Sequence, residues 1–225
     1  MIRIAIDGPA GAGKSTIARM TAKKLGIIYV DTGALYRTVG YYVRSVGADP
    51  HDAAAVEKLL PAIHIEVKFE GGRQTVMLNG EDLGDRIREP EMSMYASAVS
   101  AIPAVRAFLL DTQREIAKKN SVIMDGRDIG TVILPDADVK VFMFASDEVR
   151  ARRRYDELIA KGMNVRYEDV LREMTERDRQ DSGRQTAPCV PAPDAILFDN
   201  SDLTPDECVD RIIGFAEKKK AEVGR

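Results

Sequence analysis

The segment Gly8-Pro9-Ala10-Gly11-Ala12-Gly13-Lys14-Ser15 constrains this chain more than any other part of it. A polyphosphate needs many donors converging on it. A glycine-rich loop lets successive backbone N–H groups point inward, and a helix directly after it adds the positive end of its dipole. Lys14 is placed to reach the β and γ phosphates and the Ser15 hydroxyl to coordinate Mg²⁺, and nucleotide binding extends to Thr16. A merely structural turn is the alternative. The context opposes it: the apolar run Ile2-Arg3-Ile4-Ala5-Ile6 leads into Asp7-Gly8, and the segment after the loop is helical and closes on Gly26.

Four further β-branched runs, at 27–30, 122–125, 139–144 and 195–199, are separated by helical stretches. They predict an α/β fold with a five-stranded parallel sheet covered by helices on both faces. From 63 to about 81 the pattern switches to period two, with Gly71-Gly72 and Asn79-Gly80 as turns, so an antiparallel β-meander is inserted at about 63–90. A helix at 146–161 has Asp147 and Glu148 in its first turn and carries Arg150, Arg152, Arg153 and Arg154. Others run from Pro103 to Lys119, over 167–181, and onward from the capping box Thr204-Pro205-Asp206-Glu207.

The 225 residues suit one domain with insertions. With 44% hydrophobic and 31% charged residues, neither a disordered nor a membrane class is indicated. No apolar stretch reaches ~20 residues, so no membrane span or signal peptide is read and a cytoplasmic protein is expected. A net charge of -3 argues against a nucleic-acid polymer as partner. Cys189 and Cys208 lack metal-type spacing and read as free thiols; His51 and His64 read as surface residues, the latter on an inserted strand.

A GTPase switch would show Asp-x-x-Gly and Asn-Lys-x-Asp, and neither occurs in the chain. A kinase needs an acceptor site and an arginine-rich cover, because phosphoryl transfer is mostly positioning and charge neutralisation. The arginine-rich helices supply such a cover.

The segments Asp31-Thr32-Gly33-Ala34-Leu35-Tyr36-Arg37, Asp125-Gly126-Arg127-Asp128-Ile129-Gly130-Thr131 and Glu176-Arg177-Asp178, with the glycine-rich loop, resemble bacterial cytidylate (CMP) kinases. The likeness spans essentially the whole chain, meander included. It implies a P-loop kinase fold that passes the γ-phosphoryl of ATP to CMP or dCMP with Mg²⁺, its substrates being small molecules and the protein a monomer. It further implies a core at about 1–34, 120–146 and 188–225, a nucleoside-monophosphate-binding region at about 35–119, and a helical lid at about 147–187. Ser15 stands where some relatives have Gly or Thr, which adds a hydroxyl for the metal.

The resemblance also implies residue roles. Thr32 and Arg37 would hold the acceptor phosphate; the bland account of Thr32 is that it caps a helix at 33–46. Arg127 and Asp128 would meet the acceptor, Asp128 accepting from the cytosine N4 amino group where uracil presents a carbonyl, although a structural ion pair is the competing account. Ser97 and Arg106 would touch the base, against an ordinary helix-surface reading. Arg177 would hold the acceptor phosphate and Asp181 the ribose hydroxyls, yet their i, i+4 spacing equally fits a helix salt bridge. Arg150 and Arg154 are candidates for ATP, Arg184 for CMP, and Lys14, Arg127, Arg153 and Arg177 for catalysis; clustered arginines also make ordinary solvated surfaces. Asp125 is a candidate to order Mg²⁺-bound water. No general base is required. Two rival readings stand beside this one: another small-molecule P-loop kinase, acting on a different nucleotide, shikimate or dephospho-coenzyme A, and a nucleotide-dependent binding module.

Overall fold

A computed structural model describes residues 1–89 and 91–223, so the meander's expected end at 90 and residues 224–225 of the expected core lie outside the described residues. The first half of the chain runs β1 (Arg3–Asp7), α1 (Lys14–Leu25), β2 (Ile28–Asp31), α2 (Thr32–Ser45), α3 (Ala53–Leu59), β3 (Ile65–Glu70), β4 (Arg73–Leu78), β5 (Glu81–Asp82) and α4 (Met92–Ser100). The second runs α5 (Pro103–Lys119), β6 (Val122–Gly126), a π-helical turn (Ile129–Ile133), β7 (Val139–Phe144), α6 (Asp147–Ala160), α7 (Tyr167–Ser182), β8 (Ile196–Asp199) and α8 (Pro205–Val223). A five-stranded parallel sheet has the order β2-β6-β1-β7-β8, and β3-β4-β5 form a separate sheet. The chain divides into two compact units, Met1–Ile27 with Ser121–Arg225, and Ile28–Asn120.

In the first unit β1 lies parallel to β6, with Ile4 beside Ile123, and parallel to β7, with Ile4 beside Val139. Ile4, Ile6, Ile123 and Met124 are fully buried, as strands covered on both faces require. Local signals set the helix ends. Gly26 closes α1 in the left-handed conformation, Ser146 caps α6 through the Val149 amide, and Glu207 and Thr204 exchange the reciprocal bonds of a capping box before α8. Asp7, last in β1, accepts from the amides of Ile129 and Gly130 at 2.7 Å each, so one carboxylate ties the end of β1 to the turn that follows β6.

In the second unit β3 and β4 pair antiparallel from Ile65–Leu78 to Glu70–Arg73, the arrangement the period-two pattern implies. His64 lies one residue before β3 rather than in it, and is exposed. Helices α3 and α4 did not stand out in the sequence; each is short, at 7 and 9 residues, and α3 is set by its Asp52 cap. The core of this unit joins Leu35, Val39 and Val43 of α2 to Val76 and Leu78 of β4, and to Val99 and Leu109 of α4 and α5. Gly40 lets α2 approach α4 closely. Both cysteines are free and buried. Among the described residues no single helix is long and apolar enough to cross a membrane.

A Cβ on Gly40 would sit 2.9 Å from the Tyr95 Cβ and 3.2 Å from the Ala96 nitrogen. Alanine gains about 1 kcal/mol of helix propensity there, against about 1–3 kcal/mol for overpacking. Gly40→Ala is therefore expected to lower Tm modestly; a rise would show that α2 and α4 separate without cost. A second expectation concerns Asp7. Burial pushes its carboxyl from 3.8 up to about 6, although the two amides pull the other way. Its stabilising contribution is full below the unfolded value and lost as pH rises through the folded one. Relative to the non-titrating Asp7→Asn, the native chain should thus lose about 2 kcal/mol of unfolding free energy from about pH 4 to 6.5. Urea midpoints across that range measure it, and a constant difference between the two proteins would contradict it.

Candidate active site

The glycine-rich loop is built by close approach. Gly8 has φ +142, and a Cβ there would fall 1.9 Å from the Met143 carbonyl oxygen, so no side chain fits. At Gly11, φ +70, a Cβ would meet the Met174 Cε at 2.5 Å and the Arg150 Cβ at 3.2 Å. Gly13 precedes α1 in the left-handed conformation and supplies no side-chain cap, which leaves the first-turn amides of α1 to an incoming anion.

The loop is gripped from outside by side chains on later elements. Asn200 donates from Nδ2 to the Ala12 carbonyl at 2.8 Å, and Arg153 donates to the Asn200 carbonyl at 2.8 Å. Asp178 accepts from the Ala10 amide at 3.1 Å. Arg150 donates to the carbonyls of Ala10 and Ala145 and pairs with Asp147 and Asp178. Arg150, the residue expected to meet ATP, has Nε and both terminal nitrogens bonded within the protein and is 3% exposed, so here it holds the loop to α6 and α7. Arg154 pairs with Glu157 along α6 and touches no part of the loop.

Lys14 turns its Nζ onto the Pro9 carbonyl at 2.6 Å. Burial, with Arg127 close by, pushes its ammonium down to about 7. The Ser15 hydroxyl donates to Asp125 Oδ2 at 2.7 Å. Among the described residues no cluster of three or more His, Cys, Asp or Glu forms a metal cage. One hydroxyl beside one carboxylate instead fits Mg²⁺, which is bound through few protein oxygens and completed by phosphates and water.

Beyond the loop, Arg127 and Asp128 follow β6. Asp128 is 3% exposed at the start of the π-helical turn. Arg127 donates from Nε to Asp181 Oδ2 at 2.9 Å, and Arg184 pairs with the other oxygen of the same carboxylate. Burial works against the Asp181 charge, but Arg127, Arg184 and Arg177 hold its carboxyl below the ordinary value. Arg177 is pushed down to about 10 by burial and by Arg127. The i, i+4 bridge between Arg177 and Asp181 does not form, and the Arg177 Nε is buried without a hydrogen-bond partner. Asp181 thus stands among three guanidinium groups with a single negative charge.

In the second unit the residues at the β2–α2 junction gather around Asp31. Its Oδ1 accepts from the Ala34 amide at 2.9 Å and its Oδ2 from Arg37 at 2.7 Å. Asp31, not Thr32, caps α2; Thr32 is the first helical residue and is buried. The Arg37 Nε, like that of Arg177, is buried and unpartnered. Arg106 is no helix-surface residue. At 9% exposure it donates to the Ser100 carbonyl at 3.0 Å and lies over the Tyr36 ring at 5.4 Å. Ser97 is half-buried on α4, where its carbonyl accepts from Ser100 Oγ at 2.9 Å.

Four residues escaped the sequence reading: Asp7, Asp31, Asp178 and Asn200. Asp31 offered a signal, being a capping residue at a strand end, and Asp178 lies in the quoted Glu176-Arg177-Asp178 segment; the bonds of Asp7 to Ile129, Asp178 to Ala10 and Asn200 to Ala12 each span 122 positions or more, which no local pattern reveals.

A model of the family described as Cytidylate kinase matches residues 4–218. The cytidylate kinase of Fervidobacterium nodosum is 49% identical over 217 residues, covering 96% of this chain and 97% of that protein. The cytidylate kinase of Caldanaerobacter subterraneus subsp. tengcongensis is 49% identical over 223 residues, covering 99% and 98%. An uncharacterized protein from Eubacterium ventriosum of known structure shares the fold with a TM-score of 0.51 at 15% identity, covering 96% of this chain and 99% of that one. The loop geometry, the arginine-rich site and a match along nearly the whole sequence lead to one conclusion: this chain belongs to the cytidylate kinase family of nucleoside monophosphate kinases.

Proposed function

We propose that the protein transfers the γ-phosphoryl group of ATP to CMP or dCMP, giving ADP and CDP or dCDP, by positioning and charge neutralisation without a general base. The observation that carries this reading is the surplus of guanidinium charge. Arg127 and Arg184 share the one carboxylate of Asp181 while Arg177 stands in its field without a bond to it, and of the five buried side-chain polar atoms without partners among the described residues, two are the Nε atoms of Arg37 and Arg177. A buried donor left unmade is costly, and a phosphate oxygen satisfies it with a charge-assisted bond.

In this reading the loop from Gly8 to Ser15 surrounds the ATP phosphates, its amides from Gly11 to Ser15 and the hydroxyl of Thr16 donate to them, and Lys14 leaves the Pro9 carbonyl for them. A polyanion beside Lys14 restores the charge that burial weakens. Ser15, and Asp125 through water, are the residues that would hold Mg²⁺, whose charge when bound offsets that of the β and γ oxygens. Arg37, Thr32, Arg127 and Arg177 take the acceptor phosphate, Asp181 the ribose hydroxyls with Arg184 beside it, and Ser97, Arg106 and Asp128 the base. An acceptor phosphate is already mostly ionised near neutral pH, its second pKa being about 6, so no residue needs to remove a proton. Lys14, Arg127, Arg153 and Arg177 hold donor and acceptor in line while charge spreads over the transferring oxygens. Residues of about 147–187 act as the lid, and Arg150 and Asp178 are its hold on the loop.

A coupled ADP-release assay over CMP, dCMP, UMP, AMP, shikimate and dephospho-coenzyme A tests the assignment. CMP and dCMP are expected to be the turned-over acceptors, with UMP disfavoured on the order of 10⁴-fold in kcat/KM because the Asp128 carboxylate meets a carbonyl. Asp128→Asn should narrow the CMP to UMP ratio by about 10²-fold or more, since an amide can donate to that carbonyl. An unchanged ratio removes Asp128 from base recognition. Turnover of shikimate or dephospho-coenzyme A in place of CMP overturns the proposed function.

A further inference from the structure

Along β4, Gln74, Val76 and Leu78 alternate onto one face, and Val76 and Leu78 are buried in the core of the second unit. A glutamine on that face loses water and has to find partners. It finds both on the main chain of Asp31. The Asp31 amide donates to Gln74 Oε1 at 2.7 Å, and Gln74 Nε2 donates to the Asp31 carbonyl at 3.2 Å. A primary amide offers one donor and one acceptor side by side, so Gln74 gives Asp31 the two-bond grip that a peptide group gives in a ladder. The Asp31 side chain meanwhile caps α2 at Ala34 and holds Arg37 at 2.7 Å. An unbroken series of bonds therefore runs from β4 through Gln74 and Asp31 to a guanidinium whose Nε stays buried and unmatched.

We infer that the inserted sheet serves to aim Arg37 at the acceptor's phosphate, with Gln74 as the positioning residue that grips Asp31. This rests on the assignment of Arg37 to that phosphate. Gln74 carries no charge and meets no substrate; it acts through the angle at which Asp31 presents its carboxylate.

The test is a double-mutant cycle on the full chain, reading KM for CMP, KM for ATP, kcat and Tm. Gln74→Met keeps length and removes both bonds. It is expected to raise KM for CMP about tenfold and leave KM for ATP within about twofold, with Tm lowered by no more than about 4 °C. In an Arg37→Ala background the same change should alter KM for CMP less than about twofold, because the group it aims is gone. A wild-type KM for CMP in Gln74→Met overturns the inference, and so does an undiminished tenfold effect in the Arg37→Ala background. A wild-type KM for CMP in Arg37→Ala alone overturns the assignment of Arg37 itself, and the inference falls with it. If Gln74→Met does not fold, Gln74→Glu, which keeps an acceptor for the Asp31 amide, takes its place in the cycle with the same expectations.

Discussion

A protein that binds phosphate must keep several cations close together before the phosphate arrives, and like charges at short range repel most strongly where water is excluded. In each of the two units the cations meet a limited supply of carboxylate. Asp181 is divided between Arg127 and Arg184 and also faces Arg177, while Asp31 holds Arg37 by one terminal nitrogen. Lys14 rests on a neutral carbonyl and is weakened as a cation by burial and by Arg127. This partial pairing leaves the Nε atoms of Arg37 and Arg177 buried without partners, and in the proposed function those are the positions an anion fills.

Rigidity is the second requirement, because a charged cradle positioned to within an ångström catalyses and a looser one only binds. The loop obtains it from neighbours. Gly8 packs backbone against the Met143 carbonyl, Asn200 and Asp178 bond to Ala12 and Ala10, and Asp7 locks the end of β1 to the turn carrying Arg127 and Asp128. Arg150, paired with Asp147 and Asp178, ties α6 and α7 to the loop.

What the sequence made legible is what short stretches decide by themselves. The loop between strand and helix, Gly26 after α1, Pro103 at the start of α5 and the Thr204 capping box all depend on residues within one turn of each other, and all lie where the sequence puts them. The β2–α2 junction was ambiguous because Asp31 and Thr32 are both capping residues, and only the end of β2 chooses between them. The arginines of α6 look alike in the sequence, yet each meets different partners: two carbonyls and two carboxylates for Arg150, Asn200 for Arg153, Glu157 for Arg154, and the Tyr155 and Tyr167 rings for Arg152. Gln74 passed for an ordinary polar strand residue. The face it occupies follows from the register of β3 and β4, and nothing in the sequence links it to Asp31, 43 positions away.

In the proposed function, unmatched guanidinium charge rather than recognition of the nucleoside supplies most of the acceptor affinity. Titration calorimetry of the full chain with CMP and with cytidine, without ATP and at several salt concentrations, measures this directly. CMP is expected to bind at least about 100-fold more tightly than cytidine at low ionic strength, with the gap narrowing as salt screens the arginines. Equal affinities for CMP and cytidine, or a difference indifferent to salt, would contradict it.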